Sequence, residues 1–427
     1  MTESFIHYVW QFQYFDRNDL RTTKGESLRV LKTGFPNSNA GPDFFNAKIN
    51  IDGIELIGNV EIHIKSSDWY AHRHEKDAAY NTVILHVVWE NDKPVTQNGV
   101  SVPTLELKLK VNDSLLQQYR RLVNSSTPIA CEKSFYEVGD VVKFSMLDKA
   151  LMQRLEKKAD HVRDLLKFNG NDWEETTYQL FARNFGFKVN ADPFFQLSKV
   201  VPYKIIQKQN GLLQVEALLF GQAGMLDTKT KDEYVSALFR EYHWIAQKYA
   251  LHNLRLSASQ WRFLRLRPAN FPTLRIAQFA AMLFQTKNIF SQLMSTGSYP
   301  DIRKIIEQNQ SGYWQTHYHF GGKAKRKVAG LGKTSTENIV INTVAPLLVA
   351  YGKSKDDQAY IDRAVEFLQQ LPAEENRITK MWNGLGLKTK NAFDSQATIE
   401  LHNAFCQGRQ CLNCNIGVAL LKPTPLC

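Results

Sequence analysis

The stretch "GPDFFNAKINIDGIELIGNVEIHIKSSDW", residues 41–69, alternates apolar and polar side chains on both sides of Asp52-Gly53. An Asp-Gly pair between two alternating segments is a strong hairpin signal, because both turn residues must take positive φ. The pattern predicts two antiparallel strands. In the second, Val60, Ile62 and Ile64 share one face and Glu61, His63 and Lys65 the other, since successive strand side chains point to opposite sides. The apolar face is expected to pack on a helix and the polar face to open outward. Asp43 opens the first strand, 18 residues before Glu61. In a hairpin turning at Asp52 and Gly53, the start of one strand lies beside the end of the other, so Asp43 and Glu61 should converge.

Working outward, "SLRVLKTGF" precedes this hairpin, and "TVILHVVWE" and "PTLELKLKV" follow it as further strands bounded by Gly, Asn and Pro. An opening helix in "ESFIHYVWQFQYF" and a helix of about three turns in "SSDWYAHRHEKDAAYN" complete an α-β-β-β-α-β order. Beyond residue 140 the apolar period becomes three and four, as in "VVKFSMLDKALMQRLEKKADHVRDLLKFN", "KDEYVSALFREYHWIAQKYAL" and "LRIAQFAAMLFQTKNIFSQLM". The expected class is α+β, with an α/β domain at 1–125 and a larger all-helical domain at 126–427. "GKT" at 332–334 looks like the end of a phosphate-binding loop, but Lys327 stands where that motif needs glycine.

A hydrophobic fraction of 43% supplies buried cores, and no apolar run approaches the roughly 20 residues of a membrane span. The first residues lack the basic start and cleavage site of a secretory leader, so a soluble, cytoplasmic protein without a membrane partner is expected. Net charge is +11, and it is lopsided: residues 1–125 hold 14 basic and 15 acidic side chains, leaving 39 against 27 to the remainder. That excess points to nucleic acid as a partner. Arg262, Arg265, Arg267 and Arg275 in "WRFLRLRPANFPTLRIAQFA", and Lys325 and Arg326 in "HYHFGGKAKRKV", are the candidate phosphate contacts.

Two converging carboxylates offer hard oxygen ligands to Mg²⁺ or Mn²⁺, with His63 or Lys65 as a base or phosphate-contacting group. The Pro42-Asp43 pair and Glu61-x-His63, within this element order, resemble the PD-(D/E)xK phosphodiesterase superfamily over roughly residues 3–110. The resemblance implies a nuclease-like domain in which Asp43 and Glu61 hold a metal. His63 stands where that pattern has lysine, and Lys65 lies one pleat further on. Through "GPDF", "VEIH", "LRPANFPTLRIAQFA" and the terminal cysteines the whole chain also resembles an uncharacterised bacterial family of unknown function. The functional expectation is a metal-dependent phosphodiesterase acting on nucleic acid; the alternative is a non-catalytic nucleic-acid or protein-binding module that keeps the fold.

Two further clusters stand out. His72, His74 and His86 follow His63, but on a continuous helix residues two apart point about 200° away from each other, so surface or supporting roles are expected, with a His-rich transition-metal site as the competitor. Cys406, Cys411 and Cys414 form C-x4-C-x2-C at the C-terminus. With His402 they suit zinc; with Cys131 they resemble the iron-sulfur staple of certain exonucleases, which implies a [4Fe-4S] centre; without metal they are core packing.

Overall fold

A computed structural model describes residues 1–37, 39–226 and 231–422. The chain is α+β and divides into two compact units: Met1–Leu147 together with the segment from Leu401 onward, and Asp148–Glu400. The first unit reaches past the expected edge at residue 125 and recruits the C-terminal segment as well. Its core explains why: Cys411 and Leu421 are buried in one apolar cluster with Phe5, Val60, Leu85 and Leu115, a contact between distant parts of the sequence that no local pattern encodes.

In the first unit, helix α1 (Glu3–Gln11) buries Phe5, Ile6, Tyr8, Val9 and Trp10. Strands β1 (Leu28–Lys32), β2 (Phe35–Pro36), β3 (Phe44–Ile51), β4 (Ile54–Lys65) and β5 (Val83–Glu90) follow, then the short pair β6 (Thr96–Gln97) and β7 (Val100–Ser101), β8 (Thr104–Glu106) and helix α3 (Asp113–Val123). The main sheet runs β1-β3-β4-β5-β8, with β2 beside β3. β1, β3 and β4 are antiparallel neighbours, whereas β5 lies parallel to both β4 and β8. The hairpin turns where the sequence requires: Ile51 pairs with Ile54, and Asp52 and Gly53 both have positive φ, 46° and 87°.

The connection between β4 and β5 departs from expectation. In place of a three-turn helix there is one turn, α2 (Asp68–Ala71), followed by two short 3₁₀ turns at His74–Lys76 and Ala78–Thr82. The break is at Arg73, whose φ of 62° is left-handed and stops helical propagation. This connection does not leave the polar face of β4 open. Trp69 and Tyr80 are buried with Val95 and Val102 in a second small core, and Glu61 and His63 are themselves only 5% and 1% exposed.

The second unit is helical, its longer helices including α4 (Asp140–Phe168, in which the unit begins), Trp173–Phe185, Leu212–Gln222, Glu233–Lys248, Pro272–Gln285 and Gln358–Gln370. The expected single helix over 274–294 is two, because Asn288 takes φ 55° before Ile289–Ser295 begins.

Candidate metal centre

Asp43 stands immediately ahead of β3, and Phe44 pairs with Val60. The hairpin thus delivers Asp43 to Glu61. The Asp43 backbone N–H donates to Glu61 Oε2 at 3.1 Å, and Asp43 Oδ2 accepts from the Ile62 N–H at 2.9 Å. Each carboxylate keeps one oxygen for other partners. Helix α1 brings His7 Nε2 to 3.3 Å from Asp43 Oδ2, one turn on from Glu3.

The left-handed Arg73 changes the fate of the two neighbouring histidines. A continuous helix would splay His72 and His74; the break turns both toward His63. Among the described residues, His63, His72 and His74 form the group of three whose ligand atoms all lie within 4.8 Å of one another. His63 Nε2 is 3.1 Å from His72 Nδ1. Glu61 Oε1 is 3.3 Å from His74 Nε2 and 3.6 Å from His63 Nε2. His74 Nε2 is buried and makes no hydrogen bond among the described residues, although it is within ion-pair distance of Glu61. The His74 ring is held by stacking on Tyr80, with centroids 3.8 Å apart.

Behind His63 lies His86, pairing with Glu61 across the β4–β5 ladder and fully buried. His86 Nε2 is 2.8 Å from His63 Nδ1, so one ring nitrogen of His63 is anchored and the other faces the cluster. This is the supporting contact that fixes tautomer and ring orientation in histidine ligands.

Electrostatics favour the neutral imidazole at His63 and His86. Burial, with His74, His72 and His7 nearby, pushes His63 down to about 3, and burial drives His86 well below its usual range. Burial raises the Glu61 carboxyl, opposed by its contact with His74. Burial works against the His7 cation, but Asp43 and Glu3 outweigh it and raise the His7 pKa. Burial and then Asp43 raise Glu3. Ring nitrogens crowded on one another beside a carboxylate offer lone pairs that a cation can share.

The spacing fits such a cation. Metal–ligand bonds of roughly 2.0–2.1 Å in a tetrahedron set ligand atoms about 3.3 Å apart; His63–His72, Glu61–His74 and Glu61–His63 are 3.1, 3.3 and 3.6 Å apart, and the three imidazoles lie within 4.8 Å of one another. His72 is exposed, which gives access from solvent.

Of the expected residues, Asp43, Glu61 and His63 are together. Lys65 is exposed at the end of β4, opposite Glu90, whose carboxyl is held low first by Lys108 and also by Lys65. Glu3 and His7 have no counterpart among the expected residues, and the meeting of His72 and His74 at His63 is the geometry of the competing His-rich site. An i, i+4 acidic-imidazole pair on the first helix was the available signal for Glu3 and His7.

The expected phosphate contacts divide. Arg262, Arg265, Arg267, Lys325 and Arg326 are exposed, whereas Arg275 is 5% exposed inside the helical unit and therefore not a surface phosphate contact. In the first unit, Cys406, Cys411 and Cys414 are buried. Cys131 joins them: burial, then the charges of Cys414 and Cys411, raise it to about 12, and Cys406 is raised by burial and by Cys414, Cys131 and Cys411. Arg409 ties the two segments, donating to the carbonyls of Cys406, Ser125 and Thr127 at 3.1, 2.6 and 2.8 Å. His402 turns Nδ1 to Asn403 Oδ1 at 3.1 Å. Cys427 lies outside the described residues.

No helix among the described residues is long and apolar enough to cross a membrane. No curated protein and no solved structure matches the chain. A family model does: residues 3–377 match the family described as protein of unknown function DUF2851, and the chain belongs to that family.

Proposed function

We propose that the chain is a metal-dependent phosphodiesterase acting on nucleic acid, with the ion held by His63, His72, His74 and Glu61 and with Asp43 beside it. The observation that carries this reading is the convergence of the His63, His72 and His74 ring nitrogens within 4.8 Å of one another, with Glu61 Oε1 3.3 and 3.6 Å from those of His74 and His63. Three imidazoles and one carboxylate suit zinc better than magnesium, while Asp43 adds an oxygen that would also suit manganese. A bound ion of this kind supplies Lewis acidity and a water acidified toward neutral pH. The chain's own residues do the rest. Asp43 fixes Glu61 through its backbone N–H, His86 orients His63, and His7 stands 3.3 Å from Asp43 as a proton carrier.

The phosphodiester and nucleic-acid parts rest on the α-β-β-β-α-β order, on Asp43 at the head of one strand with Glu61-x-His63 on the next, and on the +11 charge. The test is cleavage of labelled single- and double-stranded DNA and RNA by chelator-stripped protein given Zn²⁺, Mn²⁺ or Mg²⁺. Zinc- or manganese-dependent cleavage that drops about 100-fold or more in Glu61→Gln and Asp43→Asn is expected. Metal binding without cleavage of any of these substrates would leave a binding module and remove the enzymatic reading.

We propose a second, thiolate-held centre on Cys131, Cys406, Cys411 and Cys414. Cys131 lies close enough to Cys406, Cys411 and Cys414 for their charges to act on one another, and four thiols are the ligand set of a [4Fe-4S] cluster. Anaerobically purified protein should be brown and contain iron. Colourless protein with one zinc removed by Cys411→Ser would overturn the cluster; protein with neither metal would overturn the centre.

A further inference from the structure

Arg275 lies one turn into the helix Pro272–Gln285 and is only 5% exposed. Its hydrogen-bond partners are all neutral. Nη1 donates to Gln278 Oε1 at 3.0 Å, and Nη2 donates to Asn270 Oδ1 at 2.6 Å and Ser335 Oγ at 3.0 Å. Nε is buried and makes no hydrogen bond among the described residues. Among the described residues no ion pair forms to this guanidinium, which stacks 4.6 Å from the centroid of Phe187. Burial lowers its pKa to about 10, and no carboxylate opposes that shift. A buried cation left with neutral partners is destabilising unless an anion compensates it, and folded proteins rarely leave one so.

Beside Arg275 is a cavity of about 330 Å³ whose walls include Phe187, Leu266, Pro272, Ser335 and Asn338, with Lys188 exposed among them. That volume and that mixture, mostly apolar with a few convergent polar groups, are those of a small-molecule site. Phe187 adopts φ 49°, a conformation costly for a bulky residue, and a Cβ on Gly186 would meet Asn190 O at 2.2 Å. The 186–190 loop is thereby held tight against the cavity.

We propose that this cavity in the helical unit binds a small organic anion, its phosphate or carboxylate meeting Arg275 and the Ser335 hydroxyl and its flat apolar body lying on Phe187 and Leu266. The site is separate from the metal centre and does not rest on it. Calorimetric titration of the full chain, with chelator present so that the metal centre does not take up anions, uses three probes: inorganic phosphate, adenosine 5′-monophosphate and benzoate. Saturable binding at one site is expected for at least one probe, unchanged in Asp43→Asn and weakened at least tenfold in Arg275→Gln. Phosphate and the nucleotide binding without benzoate assigns a phosphate ligand; benzoate alone assigns a carboxylate. If Arg275→Gln does not fold, Lys188→Ala and Ser335→Ala take its place, with a weakening of several-fold expected. No saturable binding of any probe at millimolar concentration, or equal binding by wild type and these variants, would overturn the proposal.

Discussion

The cluster at His63 and the polar network around Lys158 on α4 are both partly or wholly buried and both rich in titratable groups, yet they are built on opposite principles. In the network each of three cations donates to at least one acceptor. Arg154 Nε donates to Gln396 Oε1 at 2.7 Å and Nη1 to Glu400 Oε2 at 3.2 Å, Lys157 donates to Glu400 Oε1 at 2.7 Å, and Lys158 donates to Asn342 Oδ1 at 2.9 Å. Gln396 in turn donates to Glu374. In the His63 cluster three imidazoles converge with the Glu61 carboxylate against two of them, and the buried His74 Nε2 makes no hydrogen bond among the described residues. Complementary clusters hold a fold together by themselves. A cluster with surplus acceptors is complete only with something positive added.

Breaking the comparison begins with the strongest effect. If the His63 cluster awaits a cation, Glu61→Gln or His74→Ala should abolish tight retention of zinc or manganese through gel filtration, read by elemental analysis, while Gln396→Leu in the other cluster should leave metal content unchanged. Equal metal content in all three variants and wild type would mean the two clusters do not differ in kind. A sharper, smaller test falls on His86. It touches His63 and not the ligand point, so His86→Ala should weaken metal affinity about 10- to 100-fold by freeing the His63 ring. An effect as large as that of His74→Ala would place His86 among the ligands.

Arg409 belongs on the self-satisfied side, with three carbonyls accepting from one guanidinium. Arg409→Met removes this donor from the Ser125 and Thr127 carbonyls, while the Cys406 carbonyl keeps the Arg409 backbone N–H, and should lower unfolding free energy by about 2 kcal/mol, measured by chemical denaturation. An unchanged midpoint would show that water replaces the guanidinium without loss.

These contrasts also explain what the sequence disclosed. The hairpin and the meeting of Asp43 with Glu61 were legible because Asp52-Gly53 fixes the register and a period of two fixes the faces. The placement of His72 and His74 was not legible because a left-handed Arg73 has no sequence signal comparable to glycine; a continuous helix would separate two side chains that the break brings together. Glu3 and His7 carry a helical spacing, but only the docking of α1 on β4 gives it meaning. Cys131 reaches Cys406 by a return of the C-terminal segment, and the burial of Arg275 follows from a helix surrounded by other helices. Both are long-range facts, absent from local periodicity.

The smallest effect concerns Lys158 and bears on whether the network is as self-sufficient as its hydrogen bonds imply. Its ammonium bonds to the neutral side chains of Asn342 and Gln396, at 2.9 and 3.3 Å, and no carboxylate contacts it directly. Burial, reinforced by Arg154 and opposed by Glu374 and Glu400, lowers its pKa to about 7, against roughly 10.4 in an unfolded chain. Below pH 7 both states hold the proton and the folded state bears the full cost of the buried charge. Between pH 7 and 10 the unfolded chain keeps a proton that the folded one has released, so this group makes stability rise with pH. Lys158→Met removes that contribution. Chemical denaturation at pH 7 and at pH 9 should therefore show a stability difference between wild type and Lys158→Met that shifts in favour of wild type at the higher pH. A difference independent of pH would mean that Glu374 and Glu400 hold Lys158 charged throughout, making the network an ion cluster whose cations and carboxylates compensate one another.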